Sequence, residues 1–377
     1  MQLKICRYLP IVLCMLAIGD YSVLAQYHVF WGDVHGHTSI SDGKGSLDDF
    51  FTYARDTAKL DFVIVTDHDF GNAPPWRMPR EKWKLTQDAA DTFTVNSKFV
   101  AIAGYEWTSQ PKYWKGVGED AVSERLFPGP PKFYNHKNVY FLSKVDYLFS
   151  AKDPAYMSPD LLAEAVQKHR GLIHNAHPTD GQDGRDQFDY SPSYYTVISN
   201  SEIGADTIQY DGKTYQVNSE SILRDFLNRG GKSGFVKGTD SHEGKSAVRT
   251  AVLARELTRK AIFEAFRNRR NYAVSNARIV LEFKINEHDM GEEIEIEDKP
   301  HIAVNIKGTD KISEVAIVRD GAITHSIHPG EDVAGFQYTD NSFEGNSYYY
   351  VRVTQVDTDE QGNHSLAWSS PIWVKRK

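Results

Sequence analysis

The chain has 377 residues, of which 40% are hydrophobic, and its 43 basic and 51 acidic residues give a formal net charge of −8. This composition excludes a largely disordered chain, and 27 glycines with 15 prolines are too few for a collagen-like or low-complexity protein. The acidic balance and the lack of a long basic run argue against a surface that coats a nucleic-acid polymer. At roughly 150 residues per domain, the length favours two domains and a short extra segment.

The first 25 residues are typical of an export signal. Lys4 and Arg7 precede an apolar stretch that runs from Leu9 to Gly19, and Ala25 ends a small-residue cleavage site. About eleven apolar residues are too few to cross a bilayer of roughly 30 Å, so we expect a cleaved signal peptide over residues 1–25. The alternative is an N-terminal core helix. We therefore expect an exported protein, periplasmic or secreted, without a transmembrane segment.

Both cysteines, Cys6 and Cys14, lie inside this segment. The remaining chain would then form no disulfide, and any metal would be bound by histidine and carboxylate. That ligand set favours zinc, manganese or iron over metals that prefer sulfur.

Residues 26–277 alternate between short apolar runs and helical patterns, which indicates an α/β architecture with parallel strands, of the barrel kind. The predicted strands are Val29–Val34, Phe62–Thr66, Phe99–Tyr105, Asn138–Leu142, Gly171–Ala176, Val197–Ser201 and Gly234–Gly238. The predicted helices are Ser46–Lys59, Ser158–Arg170, Ser219–Arg229 and Thr258–Arg270. Ser46 is the expected N-cap of the first helix, because Asp48 and Asp49 follow in its first turn. Two irregular stretches, Trp107–Tyr134 and Thr179–Thr196, are expected to form walls of an active site.

Beyond Asn276 the helical period disappears. Short strand-like segments follow one another, separated by turn signals such as Asp320-Gly321 and Gln361-Gly362. About a hundred residues of this kind predict a small β-sandwich over residues 278–377. The predicted segments are Arg278–Ile285, His301–Ile306, Ile312–Arg319, Tyr348–Thr354 and Ala367–Val374.

Half of the 14 histidines fall near the ends of predicted strands in residues 26–277. Active sites of parallel α/β folds are built at the carboxyl ends of strands. Imidazole and carboxylate together suit divalent metals, and neighbouring metals activate water for hydrolysis. The strand ends carry His35, His37, His68, Glu106, His136, His174, His177, Asp240 and His242, with Asp42 in the loop after the first strand.

Each element has a plainer reading when taken alone. A His-x-His pair can be a hydrogen-bonded polar strand end, and Asp42 before Gly43 can be a turn aspartate. Glu106 can be a strand-end charge and His136 a solvated loop residue. Strand alternation places His174 on the face opposite His177, so we assign His174 to the supporting layer or the core. The metal-site hypothesis depends on the joint occurrence at successive strand ends.

These residues also carry a resemblance to a known family. His35-Gly36-His37 with Asp42, Thr66-Asp67-His68, Ala176-His177-Pro178 and Asp240-Ser241-His242 resemble the motifs of the PHP (polymerase and histidinol phosphatase) superfamily. The segments Gly104–Ser109, Asn135-His136 and Ala367–Pro371 resemble its exported branch, which includes carbaryl-hydrolase-like metallohydrolases.

The resemblance implies a distorted seven-stranded (β/α)7 barrel that binds two or three divalent metal ions (Zn, Mn or Fe). One metal would be bound by His35, His37, Glu106 and Asp240, and a second by Glu106, His136 and His177. A third would be bound by Asp42, His68 and His242. Asp33 and Asp67 lie next to ligand histidines in the sequence and are expected to accept hydrogen bonds from imidazole N–H groups.

The leading hypothesis is therefore a metal-dependent phosphoesterase that uses a metal-bridging hydroxide on a small-molecule ester. Lys137, Arg185, Lys245 and Arg249 are candidate phosphate contacts, although each can equally be ordinary surface charge. The alternative is a carbamate or carboxylic ester hydrolase with the same metals. A third reading is a secreted binding protein whose β-sandwich binds a partner. The sequence leaves the oligomeric state open.

Overall fold

The structure is a computed structural model that describes residues 27–70, 77–109, 134, 136–178, 198–210, 213–275 and 277–377. The predicted signal peptide, residues 1–25, lies outside the described residues. Within them, no helix is both long enough and apolar enough to cross a membrane.

The chain folds into a strand-rich mixture of α and β structure. In chain order the strands are β1 (His28–Asp33), β2 (Phe62–Val65), β3 (Val100–Thr108), β4 (His136–Tyr140), β5 (Leu172–Asn175), β6 (Ile198–Glu202), β7 (Ala205–Tyr210), β8 (Lys213–Asn218), β9 (Gly234–Val236), β10 (Thr250–Ala254), β11 (Asn271–Val274), β12 (Val280–Ile285), β13 (His288–Asp289), β14 (Glu293–Ile296), β15 (His301–Lys307), β16 (Ile312–Arg319), β17 (Ala322–Ile327), β18 (Val333–Thr339), β19 (Ser347–Thr358), β20 (His364–Ser369) and β21 (Ile372–Arg376). The α-helices are α1 (Leu47–Thr52), α2 (Arg80–Phe93), α3 (Pro159–Lys168), α4 (Ser219–Asn228) and α5 (Arg259–Arg267).

The first helix begins as its sequence predicts. The Ser46 side chain accepts a hydrogen bond from the Asp49 backbone N–H, and the Asp49 carboxylate accepts one from the Ser46 backbone N–H. This reciprocal capping satisfies N–H groups that a helix start leaves free. After Thr52 the helix widens into a π-helical turn, Tyr53–Thr57, so the α-helix is shorter than predicted.

Nine of the strands in residues 28–274 belong to one mixed sheet, and β7 and β8 form a separate antiparallel pair. Its order is β11-β10-β1-β2-β3-β4-β5-β6-β9. Four neighbouring pairs, β1–β2, β2–β3, β5–β6 and β6–β9, are parallel. The pairs β3–β4, β4–β5, β1–β10 and β10–β11 are antiparallel, in contrast to the all-parallel arrangement that the sequence predicts.

This sheet curls so that its last strand meets its first ones. The Asn271 side-chain amide of β11 donates to the Phe235 carbonyl of β9 at 2.8 Å. Thr250 of β10 exchanges two side-chain hydrogen bonds with the backbone of Lys237, at 3.0 and 2.8 Å. Strand β9 therefore lies beside β10 and β11.

The C-terminal strands extend the same sheet. Strand β20 pairs with β11, with Trp368 opposite Ala273, and β19, β21 and β14 follow beyond it. A separate four-stranded sheet, β13-β12-β15-β18, packs on this extension through one apolar cluster that includes Phe283, Val304, Ile317 and Val351. The main sheet thus includes strands from both sides of residue 277. The domain boundary near that residue stays a prediction.

Candidate metal centre

Nine polar side chains that the sequence singles out lie close together at one end of the curled sheet. They form four overlapping groups in which all the potential ligand atoms lie within 4.8 Å of one another. The groups are His37, Asp42, His68 and His242; His35, His37 and Glu106; His35, His177 and Asp240; and His68, Glu106 and His136.

Strand direction explains why these residues meet. His35 and His37 follow β1, and His68 follows β2, at the carboxyl ends of parallel strands. His136 begins β4 rather than ending it. Because β4 runs antiparallel to β3 and β5, its first residue lies at the same edge of the sheet as the last residues of its neighbours.

Glu106 of β3 is the shared centre of the cluster. Its Oε1 atom lies 2.8 Å from His136 Nδ1, 3.0 Å from His177 Nε2 and 3.3 Å from His35 Nε2. Its Oε2 atom lies 2.8 Å from His68 Nδ1. The Glu106 side chain is fully buried. One carboxylate thus reaches imidazoles from four chain segments.

The outer side of the cluster is partly exposed. Asp42 Oδ1 lies 3.3 Å from His242 Nε2, and Asp42 Oδ2 lies 3.6 Å from His68 Nε2. The side chains of Asp42, Asp240 and His242 are 36%, 40% and 40% exposed, whereas those of His35 and His37 are buried. The cluster is therefore open to solvent on the side of Asp42, Asp240 and His242.

Two of these residues have left-handed backbones. His177 has φ 26° and Asp240 has φ 49°, a region that residues other than glycine seldom occupy. Asp240 Oδ1 lies 3.0 Å from His37 Nε2 and 3.3 Å from His35 Nε2. Backbone strain of this kind is characteristic of functional sites, where the surrounding structure enforces it.

The carboxylates Glu106 and Asp42 have lowered pKa values, whereas the imidazoles differ: neighbouring carboxylates outweigh burial and raise the pKa of His35 and His68. Burial raises the pKa of Glu106, but the imidazoles of His136, His68 and His35 outweigh it and hold that pKa well below its usual value. Burial lowers the pKa of His136 to about 4. Burial and the neighbouring His68 lower the pKa of His37. Charged oxygens thus converge with imidazoles, and cation binding would release the protons that these imidazoles carry.

The donor set fits divalent metals. His35 Nε2 lies 3.3 Å from each of three atoms: His37 Nε2, Glu106 Oε1 and Asp240 Oδ1. Two ligands at about 2.0–2.1 Å from one tetrahedral metal are about 3.3 Å apart, so these separations suit a common cation. In addition, the buried Nδ1 atom of His37 makes no hydrogen bond to any residue that the structure describes.

The predicted supporting residues act differently from expectation. Asp33 accepts hydrogen bonds from the backbone N–H groups of His35, Thr239 and Ala247, and Asp67 accepts from Thr38 and Ser41. Both carboxylates therefore hold ligand-bearing loops through backbone and hydroxyl donors, not through imidazoles.

His174 lies against Tyr140 and Phe266 and contacts the Asn200 amide, and burial lowers its pKa to about 3. It belongs to the core.

The predicted substrate contacts are scattered. Lys137 is buried, and its ammonium donates to the carbonyls of Tyr134 and His136. Strand alternation puts it on the face of β4 opposite His136. Lys245 is exposed, and Arg249 interacts electrostatically with Asp33 and Asp359. Arg185, the stretch Thr179–Thr196 and most of Trp107–Tyr134 lie outside the described residues.

Glu202 was missed by the sequence reasoning. It ends β6 and is only 7% exposed. Its Oε1 atom lies 2.9 Å from His35 Nδ1, and its Oε2 atom accepts a hydrogen bond from the His177 backbone N–H at 2.8 Å. The available signal was its position directly after the predicted strand Val197–Ser201.

The comparisons with known proteins identify relatives without assigned functions. Residues 196–305 match a family described as "Protein of unknown function (DUF3604)". Uncharacterized proteins of Chlamydia trachomatis and Chlamydia muridarum are 26% and 25% identical to the chain, over 92% of its length and 57% of theirs. The chain thus spans little more than half the length of these relatives.

One solved structure, from Bacteroides vulgatus, is described as a "two-domain protein containing predicted PHP-like metal-dependent phosphoesterase". It is 16% identical, covers 90% of this chain and 94% of its own, and has a TM-score of 0.46.

Proposed function

We propose that the protein is a metal-dependent hydrolase of the PHP type, a phosphoesterase that acts on small phosphate esters. The observation that carries the proposal is the convergence of nine imidazole and carboxylate side chains in four overlapping groups. Four residues each belong to two groups, as expected of ligands that lie between neighbouring metals: His35, His37, His68 and Glu106. The proposal assigns the site to a (β/α)7-type barrel, residues 26–277, of an exported protein, with residues 278–377 as a packing β-sandwich.

The chain's own residues have distinct tasks in this proposal. Divalent cations, when bound, would polarise the ester and lower the pKa of water. The buried side chains of His35, His37 and Glu106 would hold the cations on the closed side of the cluster. Asp42, Asp240 and His242 would line the open side, where the ester can approach.

Charge balance supports a phosphate substrate if three cations are bound. Glu106, Asp42, Asp240 and Glu202 contribute four carboxylates, against six positive charges from three divalent ions. The resulting excess of positive charge would attract an anionic ester. With only two cations the charges would cancel, and a neutral carbamate or carboxylic ester would be equally suitable. The number of bound ions therefore bears on the substrate class.

Metal analysis and a substrate panel test the proposal together. The purified protein is assayed for bound metal and for hydrolysis of an aryl phosphate, an aryl phosphodiester, an aryl carbamate and an aryl carboxylic ester. We expect His37→Ala and Asp240→Asn to lose metal and hydrolysis. Asn is chosen for Asp240 because it tolerates the left-handed backbone there.

The matched control is His28→Ala, which removes an exposed histidine at the start of the same strand that leads to His35 and His37. It should retain both metal and activity. Retention of full hydrolysis by purified His37→Ala and Asp240→Asn would refute the proposal. Hydrolysis of carbamate but not phosphate would replace the phosphoesterase by the alternative ester hydrolase.

A further inference from the structure

We propose that Glu202 is a positioning residue that fixes two metal ligands, His35 and His177, in their binding geometry. It contacts the imidazole ring of His35 and the backbone N–H group of His177. This inference rests on the proposed metal site. Glu202 ends β6, between β5 and β9 in the sheet, and is only 7% exposed. A buried carboxylate in this position requires partners, because burying a charge without them is costly.

The first partner is the His35 ring. Glu202 Oε1 lies 2.9 Å from His35 Nδ1. An ionised carboxylate can only accept a hydrogen bond, so the proton of a neutral His35 ring resides on Nδ1. Nε2 then carries the lone pair, and it is Nε2 that lies 3.3 Å from both Glu106 and Asp240. Such carboxylate–histidine pairs orient metal ligands in proteins.

The second partner is the turn after β5. Glu202 Oε2 accepts a hydrogen bond from the His177 backbone N–H at 2.8 Å. His177 has a left-handed backbone, with φ 26°, and its Nε2 atom lies 3.0 Å from Glu106 Oε1. Strained backbone persists only where neighbouring groups enforce it. The two oxygens of Glu202 therefore hold ligands from two different strands.

The surrounding residues leave room for this arrangement. A Cβ atom at Gly238 would lie 2.2 Å from His35 Cβ and 2.8 Å from Glu202 Oε1, so only glycine fits there. The Asn138 side-chain amide also approaches Glu202 Oε1, at 3.4 Å. The carboxylate is thus confined between His35, which follows β1, Asn138 of β4 and Gly238, which follows β9.

The test is an equilibrium titration of the metal-free protein with Co²⁺, followed by visible absorption and by the number of ions bound. Glu202→Gln keeps the size of the side chain but leaves one acceptor oxygen where there were two. We expect it to weaken Co²⁺ binding by about 10–100-fold and to change the absorption spectrum. If this variant does not fold, Glu202→Asp carries the same test, because it keeps the charge but withdraws it by one methylene.

The matched control is Asp340→Asn. Asp340 is a buried carboxylate in the C-terminal part, where it accepts hydrogen bonds from Tyr349 and Arg319. Its loss should lower stability without changing Co²⁺ affinity or spectrum. Equal Co²⁺ binding by the wild type and Glu202→Gln, or an equal loss in Asp340→Asn, would overturn the positioning role alone. A wild-type protein that binds no Co²⁺ would overturn the proposed function as well.

Discussion

Glu220 connects helix α4 to the C-terminal strands through buried hydrogen bonds. It is 7% exposed, and its carboxylate accepts from Tyr350 Oη at 2.6 Å and from Trp368 Nε1 at 3.3 Å. Arg352 Nη1 lies 3.3 Å from Glu220 Oε2 and also pairs, through Nη2, with Glu314. We expect Glu220→Gln to lower the free energy of unfolding by about 1–4 kcal/mol, from the two contributions that follow.

The glutamine oxygen can accept from one of the two neutral donors, and its NH₂ group then faces the other. One buried donor without an acceptor costs about 1–3 kcal/mol. Loss of a partly exposed ion pair with Arg352 adds about 1 kcal/mol or less. The protein should still fold, since domains have about 5–15 kcal/mol of stability.

Urea unfolding at neutral pH, followed by tryptophan fluorescence and circular dichroism, measures this loss. Tyr350→Phe is the companion variant, and it should cost about 1.5–3 kcal/mol because it removes a single hydrogen bond to a charged carboxylate. The two changes combined should cost less than their sum, since they share that bond. A loss below about 0.5 kcal/mol for Glu220→Gln, the range of ordinary surface changes, would refute the reasoning.

Three further predictions concern the metal centre. In the metal-free protein, Asp42 raises the pKa of His242 from 6.5 to about 9. This partly exposed pair should add about 1 kcal/mol to the free energy of unfolding below pH 6.5, and the gain should disappear as the pH rises through 9. Urea titrations of His242→Asn should not show this pH dependence. Gly43→Ala should reduce metal content, because a Cβ there would lie 2.6 Å from the His37 carbonyl carbon, whereas Gly345→Ala, with nothing within 4 Å, should not. Chelation should lower the unfolding temperature, and metal added at a hundred times its Kd should restore about 2.7 kcal/mol of unfolding free energy per site. An unfolding temperature that chelation leaves unchanged would contradict a bound metal.

The seven strands predicted for residues 26–277 are present, with ends shifted by up to a few residues. Their apolar runs are local signals, because most residues of these strands are buried. Strand direction is not a local property. Nothing in the residues of β4 indicates that it runs antiparallel to β3 and β5, although this reversal brings His136 to the other ligands. Helix α2 and the strands β7, β8, β10 and β11 were not predicted either.

The nine predicted ligand residues could be found because each lies in or beside a recognisable motif at a strand end. The contacts that support these residues could not be found from the sequence. Asp33 and Asp67 neighbour histidines in sequence, yet they accept hydrogen bonds from loop backbone and hydroxyl groups. Glu202 lies 167 positions from His35 in the chain and reaches it only through the curvature of the sheet. Such long-range pairings depend on tertiary structure, which a motif does not encode.

The pairing of β20 with β11 has a consequence for any attempt to divide the protein. A chain ended at residue 277 would leave β11 with a bare row of backbone N–H and C=O groups, and bare edges of this kind recruit other chains. Strand β11 is separated from β1, which leads to His35 and His37, only by β10. Shortening the chain would therefore both promote self-association and loosen the sheet two strands away from the metal ligands.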